Sequence, residues 1–233
     1  MRGSKCVLNF AEMTPAGGSE VSFDMKLDRI KYEIVSDIVE SLREIDGSRS
    51  VLDVGCRDTV LRRYLSKDIL YSGVDLFQNQ DGTVDHVQDF VDGLPIKSGS
   101  WDVVTALDVV EHVDDVEAAM RELWRVTGKH LIVILPNLAH ASYRLSFLLK
   151  GHLGTDKYDM SYPPTLDRHR WLTTQQQADS FMETFAQSHD ATLQVFHTTE
   201  SPRKSWLRKI ARVFGLGPNF WAWNILYVIS RTE

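Results

Sequence analysis

Val51-Leu52-Asp53-Val54-Gly55-Cys56 is the stretch on which the reading of this chain turns. Val51–Val54 is a short apolar run of buried-strand length, broken only by Asp53. Gly55 follows at once, where a residue without Cβ lets the backbone turn sharply and approach a ligand closely. Val60–Leu65 reads as the next helix, with Thr59 as its cap and its free N–H groups facing the turn. The alternation then repeats. Leu70–Val74 is a second strand, Asp85–Val87 a weaker third and Trp101–Leu107 a fourth. Val116–Val126 is a helix with Val116, Met120, Leu123 and Trp124 on one face, and His130–Leu135 is a fifth strand stopped by Pro136. Short apolar runs alternating with helical stretches predict an α/β fold, a sheet covered by helices on both faces.

Outward from this centre the pattern is looser. Leu27, Ile30, Ile34, Ile38, Leu42 and Ile45 step by three or four, an amphipathic helix closed by Gly47, and residues 1–20 read as a loose leader. Downstream, a helix follows Leu138 and runs to about Lys150, and an irregular segment to Arg170 contains Gly151, Gly154, Pro163 and Pro164. A helix from Thr174 to Ala186 and the strands Thr192–His197 and Asn224–Ser230 complete the chain, the last two pairing as an antiparallel edge. The expected organisation is a leader and cap helix over 1–47, then a sheet domain over 48–233 with a substrate-side insertion around 138–172.

Composition excludes several classes. With 233 residues, one domain is enough, and roughly 70% of the unfolded surface can be buried without staples. The 43% hydrophobic content rules out a disordered chain. Cys6 and Cys56, the two cysteines, have the spacing of neither a zinc site nor a redox pair, so neither a metal site nor a disulfide framework is expected and a cytoplasmic setting fits. No run approaches the ~20 apolar residues of a membrane span. The net charge of -6 argues against a general nucleic-acid binder.

A glycine turn plus Asp75, 22 residues after Asp53, is shared with dinucleotide-binding folds. Charge separates the alternatives. A pyrophosphate would be repelled by Asp53 and Asp58 at the turn, whereas S-adenosylmethionine (SAM) carries a sulfonium and an ammonium against one carboxylate. Asp53, Asp58, Asp75, Asp89, Asp108 and Glu111 all fall at strand ends or in the loops after them, which favours the cationic ligand and makes a nicotinamide-linked enzyme the weaker reading.

Val51–Cys56, Gly73-Val74-Asp75, Gly93-Leu94-Pro95 and Trp101–Val104, followed by Val110-Glu111-His112-Val113, resemble class I SAM-dependent methyltransferases of the MetW-like or methyltransferase-11 type. The resemblance covers residues 48 to 137 well and continues more weakly through Arg168–Thr173. It implies a Rossmann-like fold with a seven-stranded mixed sheet whose last strand is antiparallel. It also implies cofactor contacts for Asp53, Gly55, Cys56, Asp75, Leu76, Asp89, Phe90, Leu107 and Asp108. The family usually has glycine where this chain has Arg57 and Thr59. That departure keeps open a second reading, a SAM-binding regulatory or partner protein with degenerate catalysis.

Methyl transfer from SAM is a displacement at carbon in which the protein chiefly aligns donor and acceptor, with a base needed only for a hydroxyl or protonated amine. His112 and His169 are the candidate bases. Asn137, Tyr143, Tyr158, Tyr162 and Trp171 are candidate pocket walls over the carboxyl ends of the strands. The expected acceptor is a small molecule or glycan, methylated on oxygen. A nucleic-acid methyltransferase is the alternative, against which stands the absence of an Asn-Pro-Pro-Tyr-type motif. Finally, residues 201–232 contain no acid, and over 203–214 Arg203, Lys204, Arg208, Lys209 and Arg212 alternate with Trp206, Leu207, Ile210, Val213 and Phe214. On a helix these form a basic and an apolar face, which either pack on the sheet or touch an anionic membrane or carrier.

Overall fold

The computed structural model describes residues 30–158, 160, 167–199 and 205–232. Its sheet consists of β1 (Ser50–Val54), β2 (Leu70–Asp75), β3 (His86–Val87), β4 (Trp101–Leu107), β5 (Thr127–Pro136), β6 (Ala191–Thr198) and β7 (Asn224–Arg231). The spatial order is β3-β2-β1-β4-β5-β7-β6. All pairings are parallel except those of β7, which runs antiparallel to both β5 and β6. The chain lays β2 and β3 to one side of β1 and then β4 and β5 to the other. The crevice at the carboxyl ends of β1 and β4 is therefore the switch point at which such sheets bind ligands.

The alternation of side chains along each strand builds two cores. Leu52 and Val54 of β1, and Leu131, Val133 and Leu135 of β5, join one core. Val51 of β1, and Ile132 and Ile134 of β5, join the other. The first core is covered by Met120 and Leu123 of α2 (Val116–Val126) and by Met182 and Phe185 of α4 (Gln175–Ser188). The second is covered by Ile34, Val35, Ile38, Val39 and Leu42 of α1 (Lys31–Asp46), so the middle of the amphipathic stripe read from the sequence forms a layer of the sandwich, while Ile30 and Ile45 at its ends are exposed. Leu27, where that stripe begins, lies outside the described residues. Gly47 ends α1 at φ 76°, a left-handed cap that suits glycine. Thr174 starts α4 through a reciprocal capping box with Gln177.

One expected element is shorter than its sequence predicts. Between β1 and β2, Val60–Leu65 is not a helix but a single 3₁₀ turn over Leu61–Arg63. Arg57 and Thr59 both have left-handed backbone, and the Thr59 N–H closes a turn on the Cys56 carbonyl (2.8 Å). The residues that would begin a longer helix are spent in that turn. Beyond β5, α3 (Ala141–Lys150) buries no side chain, while α5 (Ser205–Val213) seats Ala211 against Trp221 and Ala222 at α6 (Pro218–Trp221).

Candidate active site

The turn after β1 is built from beneath. Asp53 is buried, and its carboxylate accepts hydrogen bonds from the Tyr71 hydroxyl on β2 (2.8 Å) and the Thr105 hydroxyl on β4 (2.7 Å). Burial pushes its pKa up to about 6, despite those two donors and the field of Lys31. With both oxygens engaged, Asp53 braces the turn from below. Above it the N–H groups of Gly55 and Cys56 donate to the Val74 carbonyl (2.8 and 3.1 Å). Gly55 has φ 72°, and a Cβ there would lie 2.2 Å from Val109 Cγ2, so glycine is required by both backbone and space. Cys56 is buried; burial and the neighbouring Asp53 and Asp75 push its thiol up to about 12, which leaves it a packing residue rather than a nucleophile.

Arg57 and Thr59 resolve the departure noted in the sequence. Their φ values are 48° and 50°, the conformation that glycine adopts most readily. The chain keeps the glycine-type path with other residues. The exposed Arg57 donates its N–H to Asp75 Oδ2 (2.7 Å), and Asn79 donates to the Arg57 carbonyl (2.8 Å) and to the Thr83 hydroxyl (2.7 Å). Thr59 is buried and shares a hydrogen bond with Thr83 (2.9 Å) instead of capping a helix. Asp75, at the end of β2, is thus fastened to the turn, and Leu76 beside it is exposed. Asp89 caps the turn Phe90–Asp92 by accepting from Val91 N–H (3.0 Å), with the Phe90 ring buried.

Across the crevice, Leu107 ends β4 buried and Asp108 follows at φ 59°. Asp108 Oδ2 lies 2.6 Å from Lys31 Nζ, while its Oδ1 is buried without a hydrogen-bond partner. Burial works against the Lys31 ammonium, but Asp108, Tyr32 and Glu111 outweigh it and hold its pKa above the ordinary value. Nothing in the local sequence marks Lys31: it sits on the polar side of the α1 stripe, and only the packing of α1 brings it to the strand ends.

Next to this pair, the turn Val110–His112 meets the segment 167–171. His112 Nδ1 bonds the Arg168 carbonyl (3.0 Å), and the Arg170 N–H donates to the Glu111 carbonyl (2.8 Å). His169 Nδ1 bonds the Tyr158 hydroxyl (2.8 Å), which itself donates to the Trp171 carbonyl (3.0 Å). The two imidazoles meet edge to face with centroids 4.6 Å apart. Glu111 is buried with neither carboxylate oxygen hydrogen-bonded, and His169 Nε2 is likewise buried and unbonded. Burial, reinforced by Asp108, pushes Glu111 up to about 8. Burial, with Lys157 and His112 nearby, pushes His169 down to about 4, so its ring is neutral at pH 7. Burial lowers His112 too.

The expected pocket walls divide. Tyr158 and Trp171 stand at this cluster, Trp171 donating its indole N–H to the Val113 carbonyl (2.8 Å). Tyr143 stacks on Trp223. Asn137 is fully buried: its amide donates to the Asn219 and Ala222 carbonyls and its oxygen accepts from Ala139 and Gln175, so it pins the chain after β5 and is no open wall. Tyr162 lies outside the described residues.

A family model described as a methyltransferase domain matches residues 27–184, which span the turn, the acids and the histidine cluster. No curated protein sequence matches the chain. Among solved structures, the methyltransferase domain of bacterial CtHen1-C superposes with a TM-score of 0.53 at 15% identity, over 88% of this chain and 100% of that one. A SAM-dependent methyltransferase from Archaeoglobus fulgidus gives 0.53 at 16% identity, over 88% and 96% of the two chains. The plantazolicin methyltransferase BpumL, solved with a triazolic desmethylPZN analog and SAH, gives 0.55 at 10% identity, over 90% and 87%. At these identities the likeness is one of fold.

Proposed function

Because the chain belongs to the methyltransferase-domain family, we propose that it transfers a methyl group from SAM to a hydroxyl oxygen of a small-molecule or glycan acceptor. The observation that carries the SAM reading is the Lys31–Asp108 pair at the switch-point crevice: a cation and a carboxylate side by side, complementary to the amino-acid end of the ligand. The cradle at Gly55, which a side chain would fill, and the unpartnered Asp108 Oδ1 fit a ligand that brings an ammonium. When bound, SAM supplies a methyl group already activated by its sulfonium. The chain's part is to orient the reactants and exclude water, which is worth several kcal/mol in such displacements. Left-handed backbone at Arg57 and Thr59 preserves the turn and favours an active enzyme over a degenerate one.

The preference for oxygen rests on His169. Its neutral ring presents an unbonded Nε2, a proton acceptor near the acids at the strand ends. Calorimetry with SAM and SAH tests the cofactor reading: saturable heat is expected, and no heat at millimolar ligand sinks it. Transfer of labelled methyl to a panel of hydroxylated small molecules and glycans tests the acceptor; labelling confined to nitrogen or to RNA would replace the oxygen reading.

A second reading concerns where the acceptor resides. In α5 Trp206, Ile210 and Val213 are exposed beside Arg208 and Lys209, and Phe214 continues the apolar surface. In α3 Leu145, Phe147, Leu148 and Leu149 are exposed as well. Apolar side chains flanked by cations suit the surface of an anionic membrane, which would place the enzyme at its cytoplasmic face. Arg203 and Lys204 of the same basic stretch lie outside the described residues, and no described helix is long and apolar enough to cross a membrane.

A further inference from the structure

The lone pair of His169 that the oxygen reading uses is one of several acceptors brought together at Glu111. Tyr158 gives its hydroxyl proton to the Trp171 carbonyl, so toward His169 it can only accept, and His169 must carry its proton on Nδ1. The Arg168 carbonyl likewise draws the proton of His112 to Nδ1. Each ring therefore keeps its lone pair on Nε2; that of His169 is unbonded, and that of His112 faces Asp167 Oδ1 at 3.5 Å. Opposite them stands the buried Glu111 carboxyl, hydrogen-bonded on neither oxygen; burial favours its protonated form, and a bound cation would displace that proton. Acceptors have been gathered where no protein donor answers them, and leaving buried acceptors unmet is costly.

The arrangement is also held rigidly. His169 N–H donates to the Lys157 carbonyl (3.2 Å), Arg170 N–H to Glu111, and Trp171 to Val113. The rings are thereby fixed from behind by carbonyl and hydroxyl partners, as metal-bound histidines are. One ligand atom from each of Glu111, His112 and His169 lies within 4.8 Å of the others, the three-residue set of this kind among the described residues. Among the described residues, the charges that bear on the cluster are Asp108 and Asp167 against Lys31 and Lys157. With ionised Glu111 the acids outnumber the cations by one.

We propose that Glu111, His112 and His169 form a binding site for a first-row divalent transition metal. Two imidazoles and one carboxylate select Mn²⁺, Fe²⁺, Co²⁺ or Zn²⁺ over Mg²⁺, which prefers oxygen ligands and its own waters. Three protein ligands leave coordination positions open. With a metal on Nε2, His169 would hold the ion rather than take the proton itself, and the ion would take the acceptor's hydroxyl as a further ligand and lower its pKa; in this respect alone the site rests on the oxygen-acceptor reading.

Metal binding is measurable without SAM or acceptor. The full chain titrated with Mn²⁺ should bind one equivalent by electron paramagnetic resonance, and Co²⁺ should give a visible absorption band. Glu111→Gln and His169→Asn should each weaken Mn²⁺ at least about 100-fold. Tyr158→Phe, which removes the hydroxyl linking His169 to the Trp171 carbonyl but no ligand, should weaken it about 10-fold. SAH titration of the same samples reports whether each variant is folded. Intact SAH binding with no stoichiometric Mn²⁺ or Co²⁺ binding overturns the metal site and leaves the methyltransferase reading standing. Metal affinity unchanged in both Glu111→Gln and His169→Asn also overturns it. Stoichiometric metal without SAH binding would instead keep the site and remove the SAM reading.

Discussion

Lys31 Nζ and Asp108 Oδ2, 77 residues apart in the chain, meet at 2.6 Å across the crevice where β1 and β4 end. On the proposed reading, the pair is a template for the two charges of the ligand's amino-acid end. Lys31→Gln is expected to weaken SAM about 10-fold, in line with the ~1.5–3 kcal/mol of a hydrogen bond to a charged group. It should leave 5′-methylthioadenosine, which lacks the amino-acid end, unaffected. Calorimetry with both ligands decides; equal losses for the two would refute the template.

Gly55 and Val109 form a second such pair. A Cβ at Gly55 meets Val109 Cγ2 at 2.2 Å and adds a left-handed strain, so Gly55→Ala should cost about 2 kcal/mol or more in urea unfolding. Adding Val109→Ala should recover part of that loss but not the backbone strain. A double variant no more stable than Gly55→Ala would show that the contact is not what makes glycine necessary.

At Arg57 the usual cost of a glycine is reversed. Its side chain is exposed while its backbone sits at φ 48°. Arg57→Gly should therefore be neutral or stabilising by up to about 1 kcal/mol, since relief of left-handed strain offsets the added freedom of the unfolded chain. Thermal unfolding tests this, and a loss of about 1 kcal/mol would rule it out. SAM affinity should not improve, because the glycine would keep the same backbone path.

Asp53 makes stability depend on pH in an unusual direction. Its folded pKa is about 6 against an ordinary 3.8, so between these values the folded state holds the extra proton. Its contribution is then most favourable at acid pH, declines as pH rises through that window, and is fully lost above about pH 6, on the order of 3 kcal/mol. Unfolding of the native chain and Asp53→Asn across pH 4.5 to 8 should show the native chain losing ground to the variant as pH rises. A constant difference would mean that Asp53 does not titrate there.

The apolar and basic surfaces of α5 and α3 predict co-sedimentation with anionic phospholipid vesicles at low ionic strength, lost at about 0.5 M salt. Trp206→Ala with Lys209→Glu should reduce binding at least about 10-fold without changing SAH affinity. No sedimentation with anionic vesicles at low salt removes the membrane reading.

Much of this fold is legible in the order of residues. Val116–Val126 is a helix over the residues its pattern predicts, because Met120, Leu123 and Trp124 repeat at helical spacing against one core. The strands are legible because both sheet faces are covered, which leaves unbroken apolar runs such as Leu131–Leu135. What spacing does not carry is long-range pairing. His112 stands out as a polar residue after a strand and His169 as part of the Arg168–Arg170 stretch, yet the tautomers that set their chemistry come from Arg168, Tyr158 and Trp171. Lys31 looks like any solvated helix residue until α1 is laid on the sheet. Asn137 looks like a pocket residue because it follows a strand end, and its four partners arrive from α6, α4 and its own turn.

The place of β7 bears on how the protein is made. It is the last strand in the chain, yet it fills the gap between β5 and β6, through the pairings of Leu131 with Ile229 and of Leu193 with Ile229. During synthesis, β1 to β5 can assemble as they emerge, but β6 has no neighbour until residues 224–231 have left the ribosome. Until then β5 and β6 both present open hydrogen-bonding edges. The closing step is thus a late insertion of one strand between two waiting ones. A ribosome paused before residue 224 would hold the chain in its most aggregation-prone form.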